Sequence, residues 1–331
     1  MNMRSILATV AALGFGLALS HSAQAGPTTV NFNPTGGVST GFKTIDTINI
    51  LPGNSLAVDG NAATSTGSTT PFQVFFQASV NNAFLGTTQQ FNIAGATYQV
   101  TVVAGFNEKV LGVLPTSSTS ATASFGFAPG GLNFLRFFAN PVAKTANDLA
   151  GTGFTDGTLI LDATVSGTNF SSTFSSLFGQ SNIQNLDNDA NGNQHPGIFS
   201  VTGSGSVDLQ ADVLAVNPAF FQAVNPGETI NLVFNSSKLV TPFQGVEASN
   251  SFADIGGTVP VIGTVNGLPL GLVVTQGSGG KDFQFETQAT AQFGVAVAAV
   301  VPEPSSLILL GLSTLSVGLA SRFRKLRNSK S

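Results

Sequence analysis

The feature that most constrains the fold of this 331-residue chain is an alternation of apolar and polar residues with period two. In the run from Phe72 to Val80, the residues Phe72, Val74, Phe76, Ala78 and Val80 fall on one face, and Gln73, Phe75, Gln77 and Ser79 on the other. Successive side chains of a strand point to opposite sides, so such a run reads as a half-buried β-strand. The pattern recurs in Tyr98, Val100, Val102, Ala104 and Phe106, in Leu159, Leu161, Ala163 and Val165, in Val207, Leu209, Ala211 and Val213, and in Ile230, Leu232 and Phe234. Its longest instance sets Phe283, Phe285, Ala289, Ala291 and Phe293 against Asp282, Gln284, Glu286, Gln288 and Gln292. Runs near Thr28 to Phe32, Lys43 to Ile50 and Ala121 to Phe127 bring the expected number of strands to nine or more.

Turn clusters separate these runs: Asn33 to Gly37, Gly60 to Thr70, Pro129-Gly130-Gly131, Asn140-Pro141, Gly151 to Gly157, Asn225-Pro226-Gly227 and Gly277 to Lys281. Many short strands with Gly and Pro punctuation predict an all-β fold, a large antiparallel β-sandwich or jelly roll with little helix. Helix is expected only as a turn or two at Asn217 to Ala223, where Asn217 can cap and Pro218 suits the first helical position, and at Thr145 to Ala150. One large domain is the simplest count; a split near Ala139 to Gly153 is the alternative.

The two ends of the chain read as addresses. Arg4, the apolar run Ile6 to Leu19 and the Ala23-Gln24-Ala25 site predict a signal peptide over residues 1–25 and a mature chain beginning at Gly26. At the other end Pro302-Glu303-Pro304 precedes an apolar span, Ser305 to Ala320, and a basic tail with Arg322, Arg324, Lys325 and Arg327. The span's sixteen residues reach about 24 Å as a helix, somewhat short of a hydrocarbon core of about 30 Å. Basic residues after such a span stay on the cytoplasmic side, which places the rest of the chain outside the membrane. The layout is thus signal peptide 1–25, β-rich ectodomain 26–300, Pro-Glu-Pro motif and transmembrane span 301–320, and basic cytoplasmic tail 321–331.

This C-terminal arrangement resembles the PEP-CTERM sorting signal of exported bacterial proteins, with the departure that Phe323 separates Arg322 from Arg324. The resemblance implies export by the general secretory machinery and transient parking in the inner membrane. It further implies recognition and removal of the tail by the peptidase exosortase, and a final place at the cell surface or in the extracellular matrix of a Gram-negative bacterium. The ectodomain also resembles, weakly, β-rich PEP-CTERM proteins linked to flocculation.

Composition narrows the chemistry. Residues 26–301 carry fifteen acidic and six basic side chains, a net charge near −9. An anionic, Lys-poor domain lacks the electrostatic footprint of nucleic-acid binding. Without cysteine there are no disulfides, thiolate zinc sites or cysteine nucleophiles. Twenty-eight Phe, one Tyr and no Trp make Phe the core filler, since sugar-stacking surfaces favour aromatic rings with a polar handle.

One internal segment suggests a ligand. Asp187, Asp189 and Asn191, followed by Gly192 and Asn193, fit the first half of a calcium loop, in which oxygens at alternate positions converge on the ion. The twelfth position holds Ile198 instead of a bidentate Glu, and His195 stands at the ninth, so a carboxylate from elsewhere would be required, with Asp148, Asp156 and Asp254 as candidates. An Asx-turn loop is the alternative reading. His195 is the sole histidine of the mature chain and no G-x-S-x-G elbow is present. Asp208 and Asp212 share a strand face about 13 Å apart, too far for a glycosidase pair at about 5 to 9.5 Å. The expected function is therefore non-enzymatic: an exosortase-processed surface or matrix protein associated with exopolysaccharide, biofilm or floc cohesion. The alternatives are a calcium-assisted module binding a cell-surface glycan, a self-assembling structural protein, and, last, a glycan hydrolase.

Overall fold

In the computed structural model every one of the alternating runs is a strand. The structure describes residues 28–37, 40–66, 68–177, 182–256, 263, 265–267 and 280–294. The expected signal peptide, sorting motif, apolar span and basic tail lie outside the described residues. The strands are β1 (Val30–Phe32), β2 (Lys43–Ile45), β3 (Thr47–Ile50), β4 (Gly53–Val58), β5 (Phe72–Leu85), β6 (Thr88–Asn92), β7 (Gln99–Ser117) and β8 (Ser120–Phe127). They continue with β9 (Phe134–Asn140), β10 (Thr158–Leu177), β11 (Ile183–Asn185), β12 (Phe199–Val216), β13 (Phe221–Gln222), β14 (Thr229–Thr241), β15 (Val265–Asn266) and β16 (Phe283–Gly294).

The main sheet closes on itself. Strand β12 pairs with β14, β14 with β16, and β16 with β3 and β4, which follow one another in a single strand position. Both then pair with β5, and β5 with β7. The first part of β7 pairs with β9 and its second part with β8, and both of those pair with β10. The ring shuts where β10 pairs antiparallel with β12, from Leu161 opposite Val216 to Leu177 opposite Thr202. Every pairing in the ring is antiparallel, as expected, but the sandwich or jelly-roll reading gives way to a closed barrel. The cause is strand length: β7 and β10 are long enough to pair with two partners in succession, so no free edge remains to separate two sheets.

The apolar face of each strand points inward, where one continuous core joins Val74, Phe76, Val102, Leu209, Ile230 and Ala291. Outward positions such as Ser171, Thr173 and Ser175 on β10 and Ser204 and Asp208 on β12 are polar and mostly exposed. This is the reverse of a membrane-spanning barrel, whose apolar band faces lipid. Among the described residues no helix is long and apolar enough to cross a membrane. A three-stranded sheet, β13-β1-β2, packs against one end of the core. There Phe32 stacks on Phe221 with ring centroids 4.7 Å apart, and Phe221 meets Phe293 at 5.8 Å.

A second core lies outside the ring. Leu56, Phe75, Val103 and Phe134 face outward and are covered by Phe154, Phe252 and Ile255 from the loops after β9 and β14. Those loops are tied down by strand side chains that alternation alone assigns to solvent. The Gln77 amide donates to Ser249 Oγ and to the Ser251 carbonyl, each at 3.1 Å, and the Thr101 hydroxyl donates to the Phe154 carbonyl at 2.6 Å. Gly151 and Gly153 take positive φ at this crossing, and a Cβ on Gly151 would lie 1.9 Å from the Ser251 carbonyl oxygen, so only Gly fits.

Neither expected helix forms. At Asn217 to Ala223, the Asn217 side chain accepts from the Ala219 N–H and its carbonyl from Phe220 and Phe221, a single turn that leads directly into β13. At Thr145 to Ala150 the Asn147 side chain accepts from the Ala150 N–H. In both places an Asx-type turn competes successfully with the helix. The helix α1 (Gly60–Thr66) instead arises within a run read as a turn cluster. The aromatic end of the barrel should carry much of the stability. Phe32→Ala is expected to lower unfolding free energy by about 3–5 kcal/mol, whereas Leu114→Ala, at a residue 67% exposed, should change it by less than about 0.5 kcal/mol; chemical denaturation of the two variants checks the contrast.

Candidate functional site

The barrel interior is not filled along its whole length. Toward the end where β16 begins lies a cavity of about 80 Å³, walled by Phe72, Phe76, Phe106, Phe125, Phe174 and Phe285. Phe285 is about 26 Å along the strand from Phe293, at roughly 3.3 Å per residue, so the cavity is remote from the Phe32–Phe221 stack. Gly60, Asn61 and Thr64 of α1 contribute to its lining.

One ionisable side chain among the described residues lines this cavity, Glu108. It follows Val100, Val102, Ala104 and Phe106 on the inward face of β7, and the register places it between Phe72 of β5 and Phe127 of β8. Glu108 is only 5% exposed. Burial pushes its carboxyl up to about 7, and a hydrogen bond with Ser172 pulls in the opposite direction. Its Oε1 atom has no hydrogen-bond partner.

Ser172 reaches the interior because of a bulge. Leu161, Ala163 and Val165 of β10 point inward, but the pairing with β12 shifts register between Ser166 and Ser171, and Asn169 takes φ +55°. Beyond the shift the even residues Ser172, Phe174 and Ser176 line the cavity. A bulge reverses strand parity in this way. Glu108 itself had a signal in the sequence, since it occupies the next inward position after Phe106 in an otherwise apolar register. Ser172 had none.

The loop expected to hold calcium is described from Asp187 to His195. Asp187 is fully buried, with Oδ1 accepting from the Asp189 N–H at 3.2 Å and Oδ2 from the Ala248 N–H at 3.1 Å. Burial raises its pKa and the two backbone donors oppose that rise. Asp189 accepts from the N–H and the side-chain amide of Asn191, both at 3.0 Å, and the Asn193 side chain accepts from the His195 N–H at 3.1 Å. These are successive Asx turns, in which the side-chain oxygens of Asp187, Asp189 and Asn193 accept from N–H groups. The His195 ring bonds through Nε2 to the Ala248 carbonyl at 2.6 Å, joining the loop to the segment after β14.

Each of the three outside carboxylates has its own surroundings, and the acid beside the loop is Glu247, whose carboxyl is raised by desolvation and by the charges of Asp189 and Asp187. Asp254 accepts from the Gly153 N–H at 3.0 Å, Asp156 is exposed, and Asp148 is raised to about 6 by burial and by the charge of Glu247. Among the described residues no three His, Asp or Glu side chains come together in a group able to hold a metal ion. Asp208 is exposed on the outer wall, and Asp212 accepts a 3.4 Å bond from Gln210.

The sorting residues Pro302, Glu303, Pro304, Arg322, Arg324, Lys325 and Arg327, and the cleavage residues Ala23, Ala25 and Gly26, lie outside the described residues. Comparison with protein families nevertheless identifies the C-terminus: residues 300–325 match the PEP-CTERM protein-sorting motif. The chain carries the signal of an exosortase substrate, a class of exported protein with membrane-anchored transit, typical of Gram-negative bacteria. No curated protein and no solved structure matches the chain.

The state of Glu108 makes a prediction for stability. Its folded pKa, about 7, lies above the ordinary 4.5, so the folded state binds the proton more tightly than the unfolded state. Stability from this group is complete below about pH 4.5 and is lost as pH rises through about 7, amounting to roughly 3 kcal/mol at 1.36 kcal/mol per unit. Glu108→Gln should remove that loss. Denaturation of both proteins between pH 4.5 and 8.5 is expected to show Glu108→Gln gaining on the parent as pH rises, with the residual slope, including that of Asp148, shared by both.

Proposed function

We propose that this protein is a non-enzymatic component of the cell surface or extracellular matrix, released there by exosortase and contributing to exopolysaccharide-based cohesion of biofilms or flocs. The observation that carries the reading is the sorting motif at residues 300–325. It joins a Pro-Glu-Pro motif to an apolar span too short for a comfortable permanent anchor and to a basic tail that stays behind.

The ectodomain's chemistry supports a structural role over a catalytic one. Its lone histidine, His195, is engaged with a backbone carbonyl, and Asp208 and Asp212 sit on the outward wall instead of across a cleft. A closed sheet without free edges in its ring resists strand addition, which favours a discrete surface module over a self-assembling fibre. The outer wall, rich in Ser, Thr and Gln, offers hydroxyl and amide groups toward a hydrated polymer.

Processing is testable through Glu303. In native cells the parent chain is expected at the surface or in the matrix with its basic tail removed, as read by intact mass. Glu303→Ala, or deletion of the peptidase, should leave full-length chain in the inner membrane and reduce floc or biofilm cohesion. A surface form of unchanged mass in the peptidase-deficient strain would overturn the processing step, and unaltered cohesion would overturn the role in the matrix.

A further inference from the structure

The barrel interior contains a cavity that the sorting signal does not call for. We propose that the cavity binds a small neutral organic molecule, an apolar chain of a few carbons with one carbonyl or hydroxyl oxygen, and that Glu108 in its protonated form donates a hydrogen bond to that oxygen.

Three features support this assignment independently of where the protein is exported. Space comes first: an eight-position antiparallel barrel is wide enough either to be filled by side chains or to hold one small ligand, and here a partly open cavity of about 80 Å³ remains among Phe rings. An apolar engineered cavity of about 150 Å³ takes up benzene, so the size selects a short chain over a long lipid. The second feature is the unmet valence of Glu108. A buried polar atom without a partner is costly to the folded state, and most are satisfied in folded proteins. Ser172 engages the carboxyl, while Oε1 remains unpartnered. A ligand oxygen at this point would complete the set.

The third feature is charge. Across the strands around Glu108, the side chains lining the cavity with it are Phe72 of β5, Phe125 of β8 and Ser172 of β10, and no cation or second acid lines the cavity among the described residues. The carboxyl is consequently held neutral up to about pH 7, and as a neutral acid it can donate. An anionic ligand would meet no counter-charge and would bear the full desolvation penalty. A wholly apolar ligand would leave Oε1 unsatisfied. A ketone, aldehyde or alcohol answers both conditions.

The test uses the full chain in lipid nanodiscs with labelled acetone, a ketone smaller than benzene and so matched to the void, measured by equilibrium dialysis with empty nanodiscs as the reference. The parent should show saturable one-to-one binding at pH 5.5, weakened about tenfold at pH 8.5, where ionised Glu108 no longer donates; tenfold corresponds to about 1.4 kcal/mol, the scale of one hydrogen bond. Glu108→Leu should bind about tenfold more weakly at pH 5.5. Glu108→Gln, which keeps a donor and the shape of the side chain, should bind with the same affinity at both pH values, and it serves as the decisive variant if Glu108→Leu does not fold. Absence of saturable binding by the parent at pH 5.5 would overturn the site. Binding that is equal at both pH values in the parent would overturn the role of Glu108. Neither result bears on exosortase processing, which is read from intact mass.

Discussion

The ladder between β10 and β12 is the interaction on which the architecture depends. It runs from Leu161 opposite Val216 to Leu177 opposite Thr202 and joins the two ends of what would otherwise be an open sheet. Backbone N–H and C=O groups must find partners wherever they are removed from water, and closure supplies them around the whole circumference. It also gathers every inward face around one axis. With eight strand positions, that axis is lined by Phe and small aliphatic side chains, and at one end they do not meet. Cavity, buried acid and closed outline are consequences of the same pairing.

Closure also explains the use of polar residues on the outer wall. Several are not solvated. Asn54, Gln77 and Gln284 are fully or almost fully buried beneath the segment following β14, with the Gln284 amide donating to Asn54 Oδ1 and to the Ser249 carbonyl, and Asn54 Oδ1 accepting from the Ser249 N–H. A long loop laid over a sheet carries backbone groups that need partners, and amide side chains provide donor and acceptor together. The abundance of Asn and Gln in a barrel domain with few charges thereby has a structural use: it binds loops to the barrel without burying ions, which would be costly.

The sorting signal and the barrel interior concern different stages of the protein's existence. The former marks the chain as an exosortase substrate and lies within residues 300–325. The latter is a property of the folded barrel. Glu108 is a compromise between the two requirements of that interior, since an apolar side chain there would be more stable at neutral pH.

Strand existence was legible from sequence because alternation registers burial on one side, and the runs at Phe72, Tyr98, Leu159, Val207, Ile230 and Phe283 all became strands. The short β4, β6 and β9 were missed: β4 is buried on both faces, with Gly53 through Ala57 all inaccessible, so it shows no alternation. The C-terminal sorting motif was legible too, since such a signal is a linear string of residues. Glu108 could be placed on the apolar face of β7 by parity alone. Its hydrogen bond with Ser172 could not, because Ser172 arrives from β10 only after a bulge has reversed its parity. Closure likewise belongs to tertiary structure: periodicity states which face of a strand is buried but not which strand lies beside it, and only the pairing of β10 with β12 turned a set of amphipathic strands into a barrel with an interior.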